Sequence, residues 1–339
     1  MPRVLLTGGA GYIGTHAACV LAAVGRRCAT LDNYCNSSPR SLEGVERIAP
    51  GMVEAFEADI RDRERLRDIL RPGGFDSVIH FAGLKAVGES VAQPERYRDN
   101  NVSGTAKLLD ALAETSVRNF VFSSSATVYG APERLPVDES APISPANPYA
   151  ENKWEIERML VSLAARDPSW RIAILRYFNP VGAHESGLIG EDPRGTPNNL
   201  MPYVCQAALG KLPELRIFGD DYPTRDGTGV RDYIHVMDLA DGHVAALAAL
   251  DRAPPGSVLT VNLGTGRGYS VRELVETFER VNGVTVPRRI VGRRPGDVAV
   301  CYAEVSRARD VLHWQAKRGL EAMCRDAWRW QSMNPDGYA

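Results

Sequence analysis

Residues 3–14, RVLLTGGAGYIG, join a short apolar strand pattern to a glycine-rich turn. The glycines stand at positions 8, 11 and 14, and an apolar helical run from Thr15 to Val24 follows them. A glycine turn at a helix N-terminus lets the backbone come close to a pyrophosphate and point N–H groups at it. The stretch therefore predicts a dinucleotide-binding turn between a first strand and a first helix.

The next strand pattern supports this interpretation. Cys28–Leu31 is apolar and ends at Asp32, which comes 18 residues after Gly14. An acidic residue at this place accepts hydrogen bonds from the adenine ribose hydroxyls and repels a 2′-phosphate. The sequence therefore favours NAD over NADP.

Strand and helix patterns continue to alternate through the first half of the chain. They are a strand at Val53–Ala58, a helix at Asp62–Leu70, a strand at Ser77–Phe81, a helical pattern at Tyr97–Thr115 and a strand at Asn119–Phe122. Such alternation predicts an α/β fold of the Rossmann type, a doubly wound parallel sheet. Ligands bind beyond the carboxyl ends of such strands. The polar or glycine residues that follow the strands should then line one crevice: Asp59, Gly83, Lys85 and Ser123–Ser125.

Composition excludes several classes of partner. The chain has 339 residues and a formal net charge of −2, without a lysine or arginine block, so we expect neither nucleic acid nor a membrane surface as a partner. Its six cysteines are scattered without a Cys-x-x-Cys spacing, and its six histidines show no metal-binding spacing, so we expect no disulfide framework and no metal site. The start of the chain lacks a signal-peptide pattern. A cytoplasmic protein is expected.

Tyr149 and Lys153 form a candidate pair for proton transfer. They are four residues apart at the start of a helical pattern, so they should share one face. A cation beside a phenol favours the phenolate and lowers its pKa, which permits proton exchange with a sugar or alcohol hydroxyl. A pair with this spacing also arises by chance on a surface. The serines at 123–125 favour the catalytic alternative, because a serine hydroxyl can donate to the oxygen that the tyrosine deprotonates.

Taken together, these motifs resemble the extended short-chain dehydrogenase/reductase family, and within it most closely the UDP-galactose (UDP-glucose) 4-epimerases. The resemblance spans nearly the whole chain. It rests on residues 8–14, 32–37, 81–90, 99–102, 123–130 and 175–184. Two departures are minor, since neither position carries proton chemistry: Ala150 stands where many relatives have Gly, and Asn152 where they commonly have Ser or Thr.

The resemblance implies three catalytic residues. Tyr149 is the acid/base, Lys153 lowers its pKa and holds the nicotinamide ribose, and Ser125 assists at the sugar hydroxyl. With these three, the predicted NAD site consists of Gly8, Gly11, Tyr12, Ile13, Gly14, Asp32, Asn33, Tyr34, Cys35, Asn36, Ser37, Asp59, Ile60, Phe81, Ala82, Gly83, Leu84, Lys85, Asn100 and Phe178.

The second half of the chain is predicted to hold a UDP-hexose. Proline and glycine become frequent between Pro180 and Pro202, which marks the entry to a smaller mixed α/β domain. We expect an NAD-binding domain at 1–180 and a UDP-sugar-binding domain at 181–339, with parts of 230–268 returning to the first. The resemblance implies the following substrate contacts: Lys85, Ser125, Tyr149, Phe178, Asn179, Asn199, Leu200, Arg216, Phe218, Arg231, Arg294, Asp297 and Cys301.

Cys301 bears on substrate choice. In relatives restricted to non-acetylated sugars a tyrosine occupies this position, whereas relatives that accept N-acetyl sugars carry a smaller residue. A thiol leaves room beside the C2 substituent. Our hypothesis is that the chain interconverts UDP-GlcNAc and UDP-GalNAc as well as UDP-glucose and UDP-galactose.

The expected reaction is inversion at C4 through a transient 4-keto sugar with tightly bound NAD, serving galactose metabolism and nucleotide-sugar supply. The family also implies a homodimer. A 4,6-dehydratase would need an acidic pair beside the catalytic serine, and there is no carboxylate between Ser124 and Tyr129. A net reductase would favour NADP, which Asp32 disfavours. A redox-sensing NAD-binding regulator could dispense with Ser125, Tyr149 and Lys153.

Overall fold

The structure is a computed structural model that describes residues 3–72, 74–195, 197–294 and 296–338. The strands in this part of the chain are β1 (Arg3–Thr7), β2 (Cys28–Asp32), β3 (Val53–Glu57), β4 (Phe75–His80), β5 (Asn119–Ser123), β6 (Arg171–Tyr177), β7 (Asn179–Val181), β8 (Leu215–Phe218), β9 (Val230–Arg231), β10 (Tyr233–His235), β11 (Val258–Leu263), β12 (Tyr269–Ser270), β13 (Arg288–Val291) and β14 (Val300–Cys301).

Helices separate most of these strands. They are α1 (Tyr12–Ala23), α2 (Arg40–Ile48), α3 (Arg63–Leu70), α4 (Val87–Ala92), α5 (Pro94–Arg98), α6 (Gly104–Ala113), α7 (Pro148–Arg166), α8 (Leu200–Ala208), α9 (Val236–Arg252), α10 (Val271–Asn282), α11 (Ser306–Leu312) and α12 (Leu320–Met333). A π-helical turn at Asp99–Ser103 separates α5 from α6, so the predicted helix at Tyr97–Thr115 is interrupted. None of the helices in the described ranges is long and apolar enough to cross a membrane.

The main sheet confirms the predicted Rossmann-type fold. Seven strands of the described chain form it in the order β11-β6-β5-β4-β1-β2-β3, and every pairing is parallel. The chain runs from β1 outward to β3 and then returns to the other side of β1 with β4. The direction therefore reverses between β1 and β4, and a crevice for ligands opens beyond the carboxyl ends of these two strands.

Apolar side chains on both faces of the sheet hold the helices against it. Successive residues of β1 point to opposite faces. Leu5 belongs to the core that includes Leu108 of α6 and Leu160 of α7, whereas Leu6 belongs to the core that includes Leu21 of α1 and Leu247 of α9. Because both faces are covered, the strands are near-continuous apolar runs.

Strands from the later part of the described chain form smaller sheets, separate from the main sheet. These sheets are β10-β7, β12-β9-β14 and β13-β8. They share a core with α8, α10 and α12, and Val204, Ile217, Phe278 and Met323 are buried in it. The chain also returns to the main sheet, because β11 pairs with β6 along its whole length and α9 packs on α1. The boundary at residue 180 stays a prediction.

Candidate active site

The glycine turn brings backbone to the mouth of the crevice. Gly8 has a left-handed φ of 71°, and a Cβ at this position would meet the Ala82 nitrogen at 2.6 Å. A Cβ at Gly14 would meet the Gly8 carbonyl oxygen at 2.5 Å. Gly11 precedes the first residue of α1. Only glycine therefore fits at positions 8 and 14. The N–H groups at the start of α1 lie at a helix N-terminus, which is a site suited to binding an anion.

Asp32 ties this turn to the loop that follows β2. It is 8% exposed. Its carboxylate accepts hydrogen bonds from the Ala10 N–H (3.1 Å), the Tyr34 N–H (2.9 Å) and the Ser37 hydroxyl (2.9 Å). Burial raises the pKa of this carboxyl, and the three donors oppose that shift. A carboxylate accepts about four hydrogen bonds, so Asp32 keeps capacity for a ribose hydroxyl.

A single cavity collects most of the predicted cofactor residues. Those that line it are Gly8, Gly11, Tyr12, Ile13, Gly14, Asp32, Asn33, Cys35, Asn36, Ser37, Ile60, Phe81, Ala82, Gly83, Leu84, Lys85, Asn100, Tyr149 and Lys153. Tyr34, Asp59, Ser125 and Phe178 lie outside this lining. Asp59 is engaged by Arg61 and Asn33, and mainly the Arg61 side chain lowers its pKa to about 2. The cofactor roles of all these residues, inside and outside the lining, stay predictions.

Helix α7 presents the candidate catalytic pair from its first two turns. The Asn147 side chain accepts a hydrogen bond from the Ala150 N–H (3.0 Å), and Pro148 occupies the first helical position, so the helix has a defined start. Tyr149 and Lys153 are 7% and 5% exposed. The spacing of four residues thus places both on the buried face, together with Glu157 one turn further on.

The electrostatics of this pair differ from the sequence-based expectation. Burial raises the pKa of Tyr149 well above its ordinary value, Tyr177 adds to the shift, and a hydrogen bond with Ser125 opposes it. The Lys153 ammonium donates to the Ser123 carbonyl (2.7 Å) and lies 5.9 Å from the centre of the Tyr149 ring. Burial also lowers the pKa of Lys153 to about 8. Burial is thus the largest cause of the shift at both residues.

The serine run at 123–125 lies at the end of β5. Ser125 begins a 3₁₀ turn, and its hydroxyl accepts hydrogen bonds from the Thr127 N–H (3.2 Å) and the Thr127 hydroxyl (2.9 Å). Ser123 lines the cavity and contacts Tyr177 and His243 (3.3 Å from its hydroxyl oxygen). Sequence reasoning placed Ser123 at the crevice and quoted Tyr177 within the segment 175–184, but it assigned Tyr177 no place in the site.

Besides Lys85 and Tyr149, which line the cavity, several predicted sugar-nucleotide residues form two groups. In the first group the Arg294 guanidinium lies 3.0 Å from the Asp297 carboxylate and 4.7 Å from the centre of the Phe218 ring. Arg231 lies 3.9 Å from the same carboxylate, and Cys301 pairs with Arg231 across β14 and β9. Guanidinium groups gathered in this way suit phosphate oxygens. Arg216 is exposed on β8, two residues before Phe218.

The second group centres on Glu191, which sequence reasoning missed. Its carboxylate accepts hydrogen bonds from the Asn199 side chain (2.6 Å) and from Lys85 (3.4 Å). Leu200 begins α8 directly after Asn199. Asn179 is the first residue of β7, and its N–H donates to the Asp232 carbonyl (3.0 Å). Two predicted substrate ligands therefore share one acidic partner.

Another part of the cavity lining was not predicted. It consists of residues 190–194 and Tyr338. No local pattern marks this segment, and Tyr338 reaches it from the far end of the described chain. Only packing between distant segments creates this wall.

Comparison with known proteins gives one consistent result. Residues 4–264 match the NAD dependent epimerase/dehydratase family. The chain is 54% identical over 337 residues to the UDP-glucose 4-epimerase of Pasteurella multocida, covering 99% of each protein. Crystal structures similar to this chain include the UDP-glucose 4-epimerase of Stenotrophomonas maltophila with bound NAD and formylated UDP-arabinopyranose (TM-score 0.96, 50% identity, 99% of each chain). Another is the UDP-glucose 4-epimerase of Bifidobacterium longum in complex with NAD⁺ and UDP (TM-score 0.94, 49% identity, 99% of each chain).

Proposed function

Since the chain belongs to the NAD-dependent epimerase/dehydratase family, we propose that it inverts C4 of a UDP-hexose by moving a proton through Tyr149, Lys153 and Ser125. The overall reaction is the interconversion of UDP-galactose and UDP-glucose, which is an isomerase reaction. The observation that carries this conclusion is the likeness to UDP-glucose 4-epimerases over the full chain, in sequence and in fold.

The residues present fit NAD as the cofactor. Glycines 8 and 14 stand where a side chain would collide with backbone, the start of α1 faces the cavity, and Asp32 closes the end of β2. When bound, NAD⁺ accepts the hydride from C4 and returns it to the other face of the sugar. The cavity residues Tyr149 and Lys153 lie where they can hold the nicotinamide ribose and the reacting hydroxyl.

As phenolate, Tyr149 takes the proton from the C4 hydroxyl, and as phenol it returns the proton after the keto sugar has turned over. Ser125 opposes the rise in the pKa of Tyr149, which supports a place for its hydroxyl at the same oxygen of the sugar. A phenolate at this buried place needs a positive charge close by. Lys153, one turn along α7, is the candidate for that charge, and Glu157 opposes the fall in its pKa that burial causes.

Turnover of UDP-galactose by the purified protein without added NAD tests this function. We expect UDP-glucose as the product and no accumulated NADH, because the cofactor is restored in each cycle. A 4-keto-6-deoxy product would identify a dehydratase, consumption of a reduced cofactor in proportion to product would identify a reductase, and no turnover would identify a binding protein. Each of these three results would contradict the assignment.

For the acetylated sugars, we propose that Cys301 admits the C2 substituent. Its half-buried side chain packs in the cluster that contains Phe178, and its strand partner is Arg231. Both neighbours are predicted substrate ligands, so Cys301 lies close to where the sugar is held. A thiol occupies far less volume there than a phenol would.

The variant Cys301→Tyr should lose turnover of UDP-GlcNAc by roughly 10- to 100-fold and keep turnover of UDP-galactose, because the larger side chain meets only the acetamido group. The measurement is kcat/KM for both substrates. Cys301→Ser is the matched control, since it keeps a small side chain and should retain both activities. An equal loss on both substrates in the tyrosine variant would refute the role in specificity.

We also propose that two copies associate in the cytoplasm. Helices α4, α5 and α7 pack together, and Val91 on α4 and Val161 on α7 leave 63% and 48% of their surface exposed. Apolar side chains exposed on neighbouring helices are suited to a helix-pair contact between two copies.

A further inference from the structure

The cavity wall formed by residues 190–194, called the 190–194 wall below, lies over the loop that follows Asp32. Arg194 reaches across to this loop, and its guanidinium donates to the Tyr34 carbonyl (3.0 Å). All five residues of the wall line the cavity, together with Asn33 and Ser37. The wall therefore closes the end of the cavity where the adenine ribose is predicted to lie.

Contacts from the segment 330–338 hold this wall in place. The Tyr338 hydroxyl accepts a hydrogen bond from the Gly190 N–H (3.0 Å) and donates to the Gly190 carbonyl (3.3 Å). The Tyr338 N–H donates to the Asp192 carboxylate (3.0 Å), and the Trp330 indole N–H donates to the Glu191 carbonyl (3.3 Å). The Gly190 N–H, the Gly190 carbonyl and the Glu191 carbonyl are therefore all hydrogen-bonded to side chains that are distant in sequence.

Steric fit reinforces these hydrogen bonds. The Trp330 and Tyr338 rings lie 4.6 Å apart between their centres. A Cβ at Gly190 would overlap the Trp330 ring, so the wall backbone rests directly on the indole. Gly337 has a φ of 73°, and a Cβ there would overlap the Asp192 carboxylate. The fit therefore requires glycine on both sides of the contact.

Tyr338 is also part of the cavity surface, since its side chain lines the cavity beside the wall. It makes no contact with Tyr149, Lys153 or Ser125 among the contacts described above, so its role is separate from proton transfer. We infer that Tyr338 is a positioning residue that clamps the 190–194 wall over the cofactor and slows exchange of NAD. This inference rests on the proposed function, because it takes NAD as the bound cofactor.

The variant Tyr338→Phe tests the clamp with little change in shape. It removes both hydrogen bonds to Gly190 and keeps the ring against Trp330. Each lost bond accelerates opening of the wall, so we expect exchange of bound NAD to be roughly 3- to 10-fold faster. The measurement is replacement of bound NAD in the holoenzyme by excess NAD labelled in its adenine ring, followed by desalting and counting. Asp192→Asn removes the negative charge from the side chain that accepts the Tyr338 N–H, and it should also accelerate the exchange of NAD.

Tyr222→Phe is the matched control. The Tyr222 hydroxyl is buried and has no hydrogen-bond partner among the described residues, so the variant removes a hydroxyl and no bond. It should exchange NAD at the wild-type rate. With saturating NAD added, the initial kcat of Tyr338→Phe should stay within about twofold of wild type, whereas a merely structural defect would lower kcat and thermal stability together.

Two outcomes would overturn the clamp. One is wild-type exchange in Tyr338→Phe, and the other is equal acceleration in Tyr222→Phe. Failure of the function itself is a different result: exchange of bound NAD would be measurable, but UDP-galactose would not be converted by any form of the protein.

Discussion

Replacing Tyr149 by phenylalanine is expected to slow epimerisation by about 10²- to 10⁴-fold, the usual effect of losing a general base. In the proposed mechanism the Tyr149 oxygen takes the C4 proton. The ring is buried against Leu84 and Tyr97. Phenylalanine keeps the ring in this packing, so the fold and the cavity should persist. The rate is measured as conversion of UDP-galactose to UDP-glucose, with NAD content and thermal midpoint determined on the same preparation.

Tyr129→Phe is a suitable control for this variant. Tyr129 is also buried, and its hydroxyl donates to the Asn262 side chain (2.7 Å) and accepts from Arg176 (3.1 Å). Its loss should lower stability and leave the chemical step within about tenfold, far less than loss of a general base. Near-normal turnover by Tyr149→Phe at full NAD content would contradict the role of Tyr149.

The second large effect concerns stability. Arg176 and Glu157 form an ion pair with side chains 6% and 2% exposed, and the guanidinium meets the carboxylate at 2.6 and 3.1 Å. Arg176→Met should lower the free energy of unfolding by about 3–5 kcal/mol, because it leaves the Glu157 carboxylate buried without its partner. The change is measured as the shift of the urea unfolding midpoint at pH 7.

The double variant Glu157→Met/Arg176→Met distinguishes the net contribution of the ion pair to stability from the cost of leaving one partner buried alone. Replacing both partners by apolar side chains of similar volume is often neutral, so the double variant should recover most of the stability lost in Arg176→Met. A loss below about 1 kcal/mol in the single variant would refute the view that Glu157 is a buried carboxylate dependent on Arg176.

This pair also touches the catalytic face of α7. Glu157 lies one turn beyond Lys153, and its negative charge opposes the fall in the pKa of Lys153 that burial causes. Ser124 donates its hydroxyl to the same carboxylate (2.5 Å). The ion pair therefore anchors the helix that carries Tyr149, and its carboxylate counters the effect of burial on the pKa of Lys153.

Features that depend on local spacing could be predicted from the sequence. Three such features are the glycine turn, Asp32 at the end of β2 and the pair Tyr149/Lys153. Each lies within one local unit, whose geometry follows from the period of 2.0 residues in a strand and 3.6 residues in a helix. The structure places each of them as expected relative to the sheet. The parallel, doubly wound character of the sheet followed from the alternation of strand and helix.

Features that depend on burial or on distant segments could not be predicted. The pKa of Tyr149 rises because the ring is fully buried, and spacing alone carries no information about desolvation. The π-helical turn at Asp99–Ser103 lets the Asn101 side chain bond with both the N–H (2.8 Å) and the carbonyl (3.0 Å) of Leu84. The apolar period that predicted a helix here carries no information about this tertiary contact.

The pairing of β6 with β11 has a consequence for synthesis on the ribosome. Ile172 to Tyr177 pair with Val258 to Leu263, so the second strand emerges long after the first. At translation speeds of about 5–20 residues per second, the buried apolar edge of β6 waits for several seconds without its neighbour. An open edge of this kind pairs readily with other nascent chains. We therefore expect the yield of native protein to depend on chaperones more strongly than the stability of the finished fold suggests.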